Sequence, residues 1–369
     1  MHVLFALPGL HRVERGAEVA FESVARELAR RGKYRVTLVG SGQPIAGREY
    51  EFRHVPAADR RRFERWPKFP ALRSEFMYED LTFAAGLLRS GTFGADLTVT
   101  CSYPHTSWAL RRPVWGRSRP KHVFVTQNGD WAAHARTSET RFFNCEGLVC
   151  TNPIYFDRNK DRWHSALVPN GIDPAVYQPG DDRRAEFDLP TDRPVVLMVS
   201  ALEPGKRVIE AMRAMALVDD AMLFVAGDGP LRDEVDALAA DILPGRFRRA
   251  TFRREQMPQL YRSADLFLHT KIEESFGNVY IEALCTGVPI VAHDDAVSRW
   301  ILGDNALLVD STSTEMLADG IRRGLGRPRQ TDPAMIAGAH ARFSWSEVAR
   351  QYEAFFDTIL TTSPARATA

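Results

Sequence analysis

Residues 265–292 read DLFLHTKIEESFGNVYIEALCTGVPIVA and decide the fold. Apolar residues predict strands at 265–269 and 288–292, and helical spacing predicts a helix at 278–286 between them. A strand, a helix and a second strand in this order are typical of a parallel sheet covered by helices. We therefore predict an α/β fold built from such units.

The same alternation continues on both sides of this stretch, in two separate groups. The first group has a helix at about 16–31 and strands at 3–7, 35–39, 96–100, 121–126 and 147–150. The second group adds strands at 194–200, 221–226 and near 306–309, and helices at 206–217 and 230–240. Because 369 residues exceed what one hydrophobic core usually supports, the two groups are predicted to be two domains.

A cluster of turn-forming residues from Pro169 to Asp192 separates the two groups. We place the boundary there, with an N-terminal domain at 1–170 and a C-terminal domain at 171–344. Helical periodicity predicts a last helix at 345–362, and we expect this helix to pack back on the first domain.

Composition bears on the partners and the cellular location of the protein. The 48 Lys and Arg residues balance 47 Asp and Glu residues, so we expect no nucleic-acid partner. The four cysteines lack metal-binding spacing and lie in apolar stretches, which predicts reduced core thiols and a cytoplasmic location. No apolar run approaches about 18 residues, so we predict at most a peripheral membrane contact. Both a monomer and a homodimer are compatible with the sequence.

Two acids bracket the start of the helix predicted at 278–286. Free N–H groups and the positive end of the helix dipole suit a diphosphate there, and Gly277 allows a phosphate to approach the backbone closely. Glu274 is then placed to accept hydrogen bonds from sugar hydroxyls, and Glu282 to bind a ribose diol. The residues predicted to bind such a donor here are Glu274, Ser275, Phe276, Gly277, Asn278, Val279 and Glu282. The alternative is a helix cap and a solvated surface charge.

Two other loops follow predicted strands of the same group, where doubly wound sheets bind ligands. One contains Ser200, Lys206 and Arg207, and Lys206 is expected to neutralise a diphosphate and stabilise the leaving group. The other contains Gly227 and Gly229. A solvated first-turn lysine and a plain turn are the respective alternatives.

Several motifs together resemble one enzyme family. They are Val168–Asp173, Leu202–Arg207, Gly227–Pro230, Leu260–Asp265, Glu274-x7-Glu282 and Gly287–Val291. In order and spacing they are similar to the retaining GT-B glycosyltransferases of glycosyltransferase family 4. Only the Glu-x7-Glu element, in its aromatic and glycine setting, is specific by itself.

The resemblance implies two Rossmann-like domains that face each other across a cleft. The C-terminal domain would bind a UDP- or GDP-sugar, the N-terminal domain would bind the acceptor, and hexose transfer would retain the anomeric configuration. The acceptor class stays open among small molecules, lipids and glycans. The family usually needs no metal and no cofactor, and this chain has no Asp-x-Asp motif.

Other site residues also come from the resemblance. Gly16 lies in a loop similar to the family's glycine-rich first turn, which would bring backbone to the donor phosphates. Ala201 stands where the family has an arginine, so Arg207, Arg253 or Arg254 would substitute.

The acceptor side departs from the family as well. Asn128 stands where a histidine is common, and an amide cannot act as a base near pH 7. His105 and Asp130 are the other polar candidates in this domain, although His105 is equally compatible with a loop or core histidine. The predicted catalytic set is therefore Glu274, Lys206, His105 and Asn128.

Residues 60–73 are rich in arginine and aromatic residues. They are compatible with an anionic acceptor or a membrane surface, and also with a solvated loop whose aromatic side chains turn inward. Two other functions also stay open for the whole chain. One is a GT-B sugar-nucleotide isomerase or phosphorylase, and the other is a non-catalytic protein that binds nucleotide sugars.

Overall fold

The computed structural model describes residues 1–69, 72–91, 93–112 and 119–361. Residues 70–71 of the arginine-rich stretch and residue 362 of the predicted last helix lie outside the described residues. The chain divides into two compact units. Unit 1 consists of Met1–Asn170 and the chain from Trp345 onward, and unit 2 consists of Gly171–Ser344.

Each unit contains a sheet whose paired strands are all parallel, as the alternating pattern predicts. Unit 1 has the strand order β3-β2-β1-β4-β5-β6-β7, with β1 His2–Ala6, β2 Arg35–Gly40, β3 Glu51–His54, β4 Leu97–Thr100, β5 Lys121–Val125, β6 Gly147–Cys150 and β7 Ser165–Leu167. Unit 2 has the order β10-β9-β8-β11-β12-β13, with β8 Val195–Val199, β9 Met222–Ala226, β10 Phe247–Ala250, β11 Leu266–His269, β12 Ile290–His293 and β13 Leu307–Val309.

Helices connect the strands of both units. Their bounds are α1 Gly16–Arg30, α2 Glu75–Ser90, α3 His105–Leu110, α4 Trp131–His134, α5 Pro153–Asn159, α6 Val208–Ala216, α7 Arg232–Ile242, α8 Met257–Arg262, α9 Asn278–Thr286, α10 Ala296–Leu302, α11 Thr314–Leu325, α12 Pro333–Phe343 and α13 Trp345–Thr361. Within the described ranges, none of these helices has the length and apolar character needed to cross a membrane.

Helix α13 belongs to the core of unit 1. Phe356 on this helix is fully buried and lies 6.3 Å, centroid to centroid, from Phe5 on β1. At its solvent side, Arg31 pairs with Glu353 at 2.6 Å. The last helix therefore packs in the same hydrophobic core as the first strand.

The structure contains several helices that were not predicted from the sequence, among them α2, α11 and α12, and it also differs from the predictions at sheet edges and turns. β3, β7 and β10 lie at sheet edges and are only partly buried, so they lack the apolar runs that identify the central strands. The helix predicted at 206–217 begins at Val208, because residues 204–206 form a 3₁₀ turn and Arg207 has a φ of 57°.

Candidate functional site

The predicted donor residues lie on loops at one edge of the sheet in unit 2. In a parallel sheet the carboxyl ends of all strands meet at the same edge, which is where ligands bind in doubly wound folds. Ser200, Lys206 and Arg207 follow β8, Gly227 and Gly229 follow β9, Arg253 follows β10, and residues 274–282 follow β11. The topology therefore gathers these loops as the sequence analysis expected.

A partly buried carboxylate, Glu274, whose side chain is 10% exposed, lies at this edge. Lys206 Nζ is 3.3 Å from its Oε2, and Lys271 Nζ is 3.0 Å from its Oε1. His269 Nε2, at the end of β11, is also 3.3 Å from Oε2. Lys271 and His269 were not predicted from the sequence, although Lys271 precedes Glu274 by three residues.

The surroundings keep Glu274 ionised. Burial alone would raise the pKa of the Glu274 carboxyl, but the adjacent His269 ring and the charges of Lys206 and Lys271 outweigh it and hold this pKa well below its usual range. Burial lowers the pKa of His269, so its ring is neutral near pH 7. One carboxylate and two ammonium groups leave a net positive charge beside the start of α9.

The turn into α9 depends on Gly277. Its φ is 78°, in the left-handed region, and a Cβ built on it would lie 2.7 Å from Tyr280 Cδ2. The Ser275 amide donates to Glu274 Oε1 at 3.1 Å, which ties the acid to the turn. The Phe276 side chain is buried, 6.1 Å from Phe343, so this residue offers only its backbone to a ligand.

The second acid, Glu282, is held on α9 by a tyrosine. The Tyr261 hydroxyl, which is fully buried, donates to Glu282 Oε2 at 2.9 Å. Burial raises the pKa of the Glu282 carboxyl, and the bond from Tyr261 and the charge of Arg254 offset this rise only in part. Glu282 is therefore oriented by a fixed donor and titrates at a higher pH than an ordinary glutamate.

The three arginines considered as substitutes for the one missing at Ala201 have different surroundings. Arg207 donates from Nη2 to the Ser311 carbonyl at 3.2 Å and lies 3.3 Å from Glu210. Arg253 is exposed at the start of a 3₁₀ turn, whereas Arg254 lies near Glu282. Lys271, which was not predicted from the sequence, contacts Glu274 directly, as Lys206 does.

The glycines after β9 serve the packing of the loop after β8. A Cβ at Gly227 would lie 1.8 Å from the Ser200 carbonyl oxygen, and one at Gly229 would lie 2.5 Å from the Leu202 oxygen. The Leu202 amide donates to the Asp228 carbonyl at 3.0 Å. Both glycines therefore allow two neighbouring loops to approach each other, which supports the turn interpretation.

In unit 1, Gly16, His105 and Asn128 follow β1, β4 and β5, three neighbouring strands. The His105 amide donates to the buried Asp80 carboxylate at 3.0 Å, and Asn128 Nδ2 is 3.8 Å from Cys101 Sγ. Gly16 begins α1. These residues thus share one sheet edge within their own unit.

Asp130 has structural partners instead. It is buried, accepts a hydrogen bond from Asn159 Nδ2 at 2.8 Å and pairs with Arg158 at 3.2 Å. These contacts favour a role in holding α4 to α5. Among the described residues, no group of three or more His, Cys, Asp or Glu side chains is arranged to hold a metal ion.

Comparison with known proteins identifies a family and several sequence relatives. The family described as glycosyl transferases group 1 matches residues 181–339. The D-inositol 3-phosphate glycosyltransferase of Mycolicibacterium smegmatis is 34% identical over 204 residues, which are 51% of this chain and 46% of that protein. A GDP-mannose-dependent alpha-(1-6)-phosphatidylinositol monomannoside mannosyltransferase from the same organism is 30% identical over 266 residues, covering 63% of this chain and 68% of its own. The chain spans about half the length of the first curated relatives that it matches.

Solved structures are similar over almost the whole chain. Sucrose-phosphate synthase from Thermosynechococcus elongatus matches with a TM-score of 0.79 at 19% sequence identity. The match covers 98% of this chain and 99% of the sucrose-phosphate synthase chain. HepE from Anabaena, solved in complex with UDP-glucose, has a TM-score of 0.72 at 18% identity, with 97% and 100% coverage. At 18–19% sequence identity, the similarity to these solved structures shows the fold of this chain alone.

Proposed function

Because this chain belongs to the glycosyl transferases group 1 family, we propose that it is a retaining, metal-independent glycosyltransferase. It moves a hexose from a UDP- or GDP-sugar to a small-molecule, lipid or glycan acceptor. The observation that carries this proposal is the Glu274 carboxylate, fixed between Lys206 and Lys271 directly before α9. The mannosyltransferase relative is named as GDP-mannose-dependent, and the HepE structure contains UDP-glucose, which supports a nucleotide-sugar donor.

The start of α9 binds the donor diphosphate. Amide groups of the first helical turn and the helix dipole favour an anion there. Lys206 and Lys271 carry one positive charge more than Glu274 neutralises. The leaving nucleoside diphosphate gains negative charge as its bond to the sugar breaks, and Lys206 and the start of α9 stabilise that charge, while Lys271 holds Glu274.

Glu274 and Glu282 have separate roles. Glu274 is ionised, and its oxygens accept hydrogen bonds from hydroxyl groups of the donor sugar. Its lowered pKa makes it a weak base, so it orients and stabilises the sugar but does not take a proton. Glu282, oriented by Tyr261, accepts hydrogen bonds from the ribose hydroxyls.

The transfer step requires no base from this cluster. The bond between the sugar C1 and the phosphate oxygen breaks, and a bond between C1 and the acceptor oxygen forms on the same face. The acceptor proton passes to an oxygen of the leaving phosphate, and the nucleoside diphosphate departs. The chain contributes orientation and charge stabilisation.

Donor binding and turnover test the proposal. The protein is incubated with UDP-, GDP- and ADP-sugars, and thermal stabilisation and slow release of nucleoside diphosphate are measured with and without EDTA. We expect one donor class to stabilise the protein, and EDTA to have no effect. Stabilisation by no donor would exclude both a transferase and a non-catalytic donor-binding protein, and loss of activity in EDTA would exclude the metal-independent mechanism.

Three variants test the site itself. Glu274→Ala is expected mainly to lower turnover, and Glu282→Ala mainly to weaken donor binding. Glu273→Ala is a matched control, because Glu273 is the exposed neighbour of Glu274 and should be neutral. Normal activity in both site variants would refute these assignments.

A further inference from the structure

An exposed loop in unit 1 plays no part in the proposed transfer chemistry. We call residues 60–69 the basic aromatic loop. The sequence left open whether its aromatic side chains turn inward, and in the structure only Phe63 does. Trp66 is 52% exposed and Phe69 is 53% exposed, so both present most of their rings to solvent.

The exposed Trp66 is held in place by aromatic packing. Phe63 stacks on Tyr78 of α2 with ring centroids 5.1 Å apart, and Trp66 lies edge-on to Phe63 at 4.9 Å and to Tyr78 at 5.3 Å. The Tyr78 hydroxyl also donates to the Pro67 carbonyl. Because the indole is already ordered, docking it on a partner costs little additional conformational entropy.

Apolar surface continues from the loop along α2. Tyr78, Leu81, Ala85 and Leu88 are spaced by three, four and three residues and so share one helix face. The loop covers Tyr78, but Leu81 and Leu88 are 40% and 45% exposed, and Ala85 is exposed as well. We call Leu81, Ala85 and Leu88 the α2 stripe.

Positive charge surrounds this apolar surface. Among the described residues, four exposed cations of the loop have no ion-pair partner: Arg61, Arg62, Arg65 and Lys68. Glu64 is the loop's acidic residue, and Arg89 is exposed next to the α2 stripe. The whole chain has a net charge of only +1, so the basic character of this loop is local.

We propose that the basic aromatic loop and the α2 stripe dock unit 1 on the surface of an anionic lipid bilayer. Trp and Phe suit the headgroup region, and arginine and lysine are attracted to anionic lipids. The exposed leucines favour a bilayer over a nucleic acid, because they offer no hydrogen bonds to phosphates or bases. This surface goes beyond the proposed transfer activity.

Vesicle sedimentation tests this docking with the full chain. Binding is measured to vesicles of phosphatidylcholine alone and of phosphatidylcholine with phosphatidylglycerol, in low and high salt. We expect binding to the anionic vesicles only, weakened by salt. Arg61→Gln with Arg62→Gln should weaken it about 25-fold, since each basic residue at an anionic surface contributes about fivefold. Trp66→Ala with Phe69→Ala should weaken it on the order of tenfold.

Matched control variants test whether vesicle binding depends on this surface or on any exposed aromatic ring or cation. Phe142→Ala removes another exposed ring, and Arg213→Gln with Arg327→Gln removes two exposed cations of unit 2. These variants should bind anionic vesicles as the wild type does. Glu274→Ala should also bind normally, so failure of the transfer proposal can be distinguished from failure of this one.

Three results would overturn the proposal. They are equal binding to neutral and anionic vesicles, unchanged binding of both loop variants, and no binding to anionic vesicles in low salt. Competition by single-stranded RNA that depends on the arginines but not on Trp66 and Phe69 would assign the loop to nucleic acid instead. A circular dichroism spectrum of each variant that matches the wild type establishes that any loss of binding is not a loss of folding.

Discussion

Removal of Lys271 tests whether this lysine acts by holding Glu274. Unit charges 3.0 Å apart interact by about 5 kcal/mol at an effective dielectric constant near 20. The Lys271 side chain is 23% exposed, and solvent screening reduces this to about 2 kcal/mol, a factor of about 30. We therefore expect Lys271→Met to lower kcat/KM about 30-fold. In a Glu274→Gln background the same change should have almost no further effect.

The assay is a double-mutant cycle on nucleoside diphosphate release. The four proteins are the wild type, the two single variants and the double variant, and the coupling free energy is expected to be about 2 kcal/mol. Glu273→Gln replaces Glu274→Gln in a control cycle, where the coupling should vanish. An equal loss on Lys271→Met in the wild-type and Glu274→Gln backgrounds would refute the reasoning. Lys206→Met should retain part of its effect in that background, because Lys206 is also assigned to the diphosphate.

Three further outcomes are expected. Because the pKa of Glu282 is raised, Glu282 should be protonated at a higher pH than an ordinary glutamate, and the donor affinity of the wild type should weaken as the pH falls through that range. The weaker affinity of Glu282→Gln should stay constant over this range, and a parallel pH dependence would contradict the role of Glu282. Gly277→Ala should lower both donor affinity and melting temperature, more than Gly245→Ala, whose φ is also positive but whose surroundings are open. Asp80→Ala should cost about 2–4 kcal/mol of unfolding free energy in urea, because buried amides at the start of α3 lose their acceptor; a loss under 1 kcal/mol would contradict this.

The GT-B fold class was predictable from the sequence because central parallel strands are buried on both faces. Val195–Val199 is a continuous apolar run, and such runs mark most central strands. The fold is confirmed by the two parallel sheets and by the similar solved structures. Edge strands such as Glu51–His54 escaped detection because half of their surroundings is solvent.

The donor loops were predictable for a similar reason, since parallel strands end at one edge. Spacing alone does not specify which side chains turn toward Glu274, so Lys271 and His269 were missed. Spacing also does not show that the Phe276 ring packs in the core and leaves only its backbone for the predicted anion site. Likewise, only the folded aromatic cluster distinguishes the inward Phe63 from the outward Trp66.

The position of α13 has a consequence for synthesis of the chain. Unit 2 is inserted between two parts of unit 1, and Ile359 on α13 packs so tightly that a Cβ on Gly147 would lie 2.2 Å from its Cδ1. The ribosome therefore releases all of unit 2 before it releases the helix that completes unit 1. Although N-terminal domains usually fold first during translation, here the middle of the chain has its complete set of core residues first.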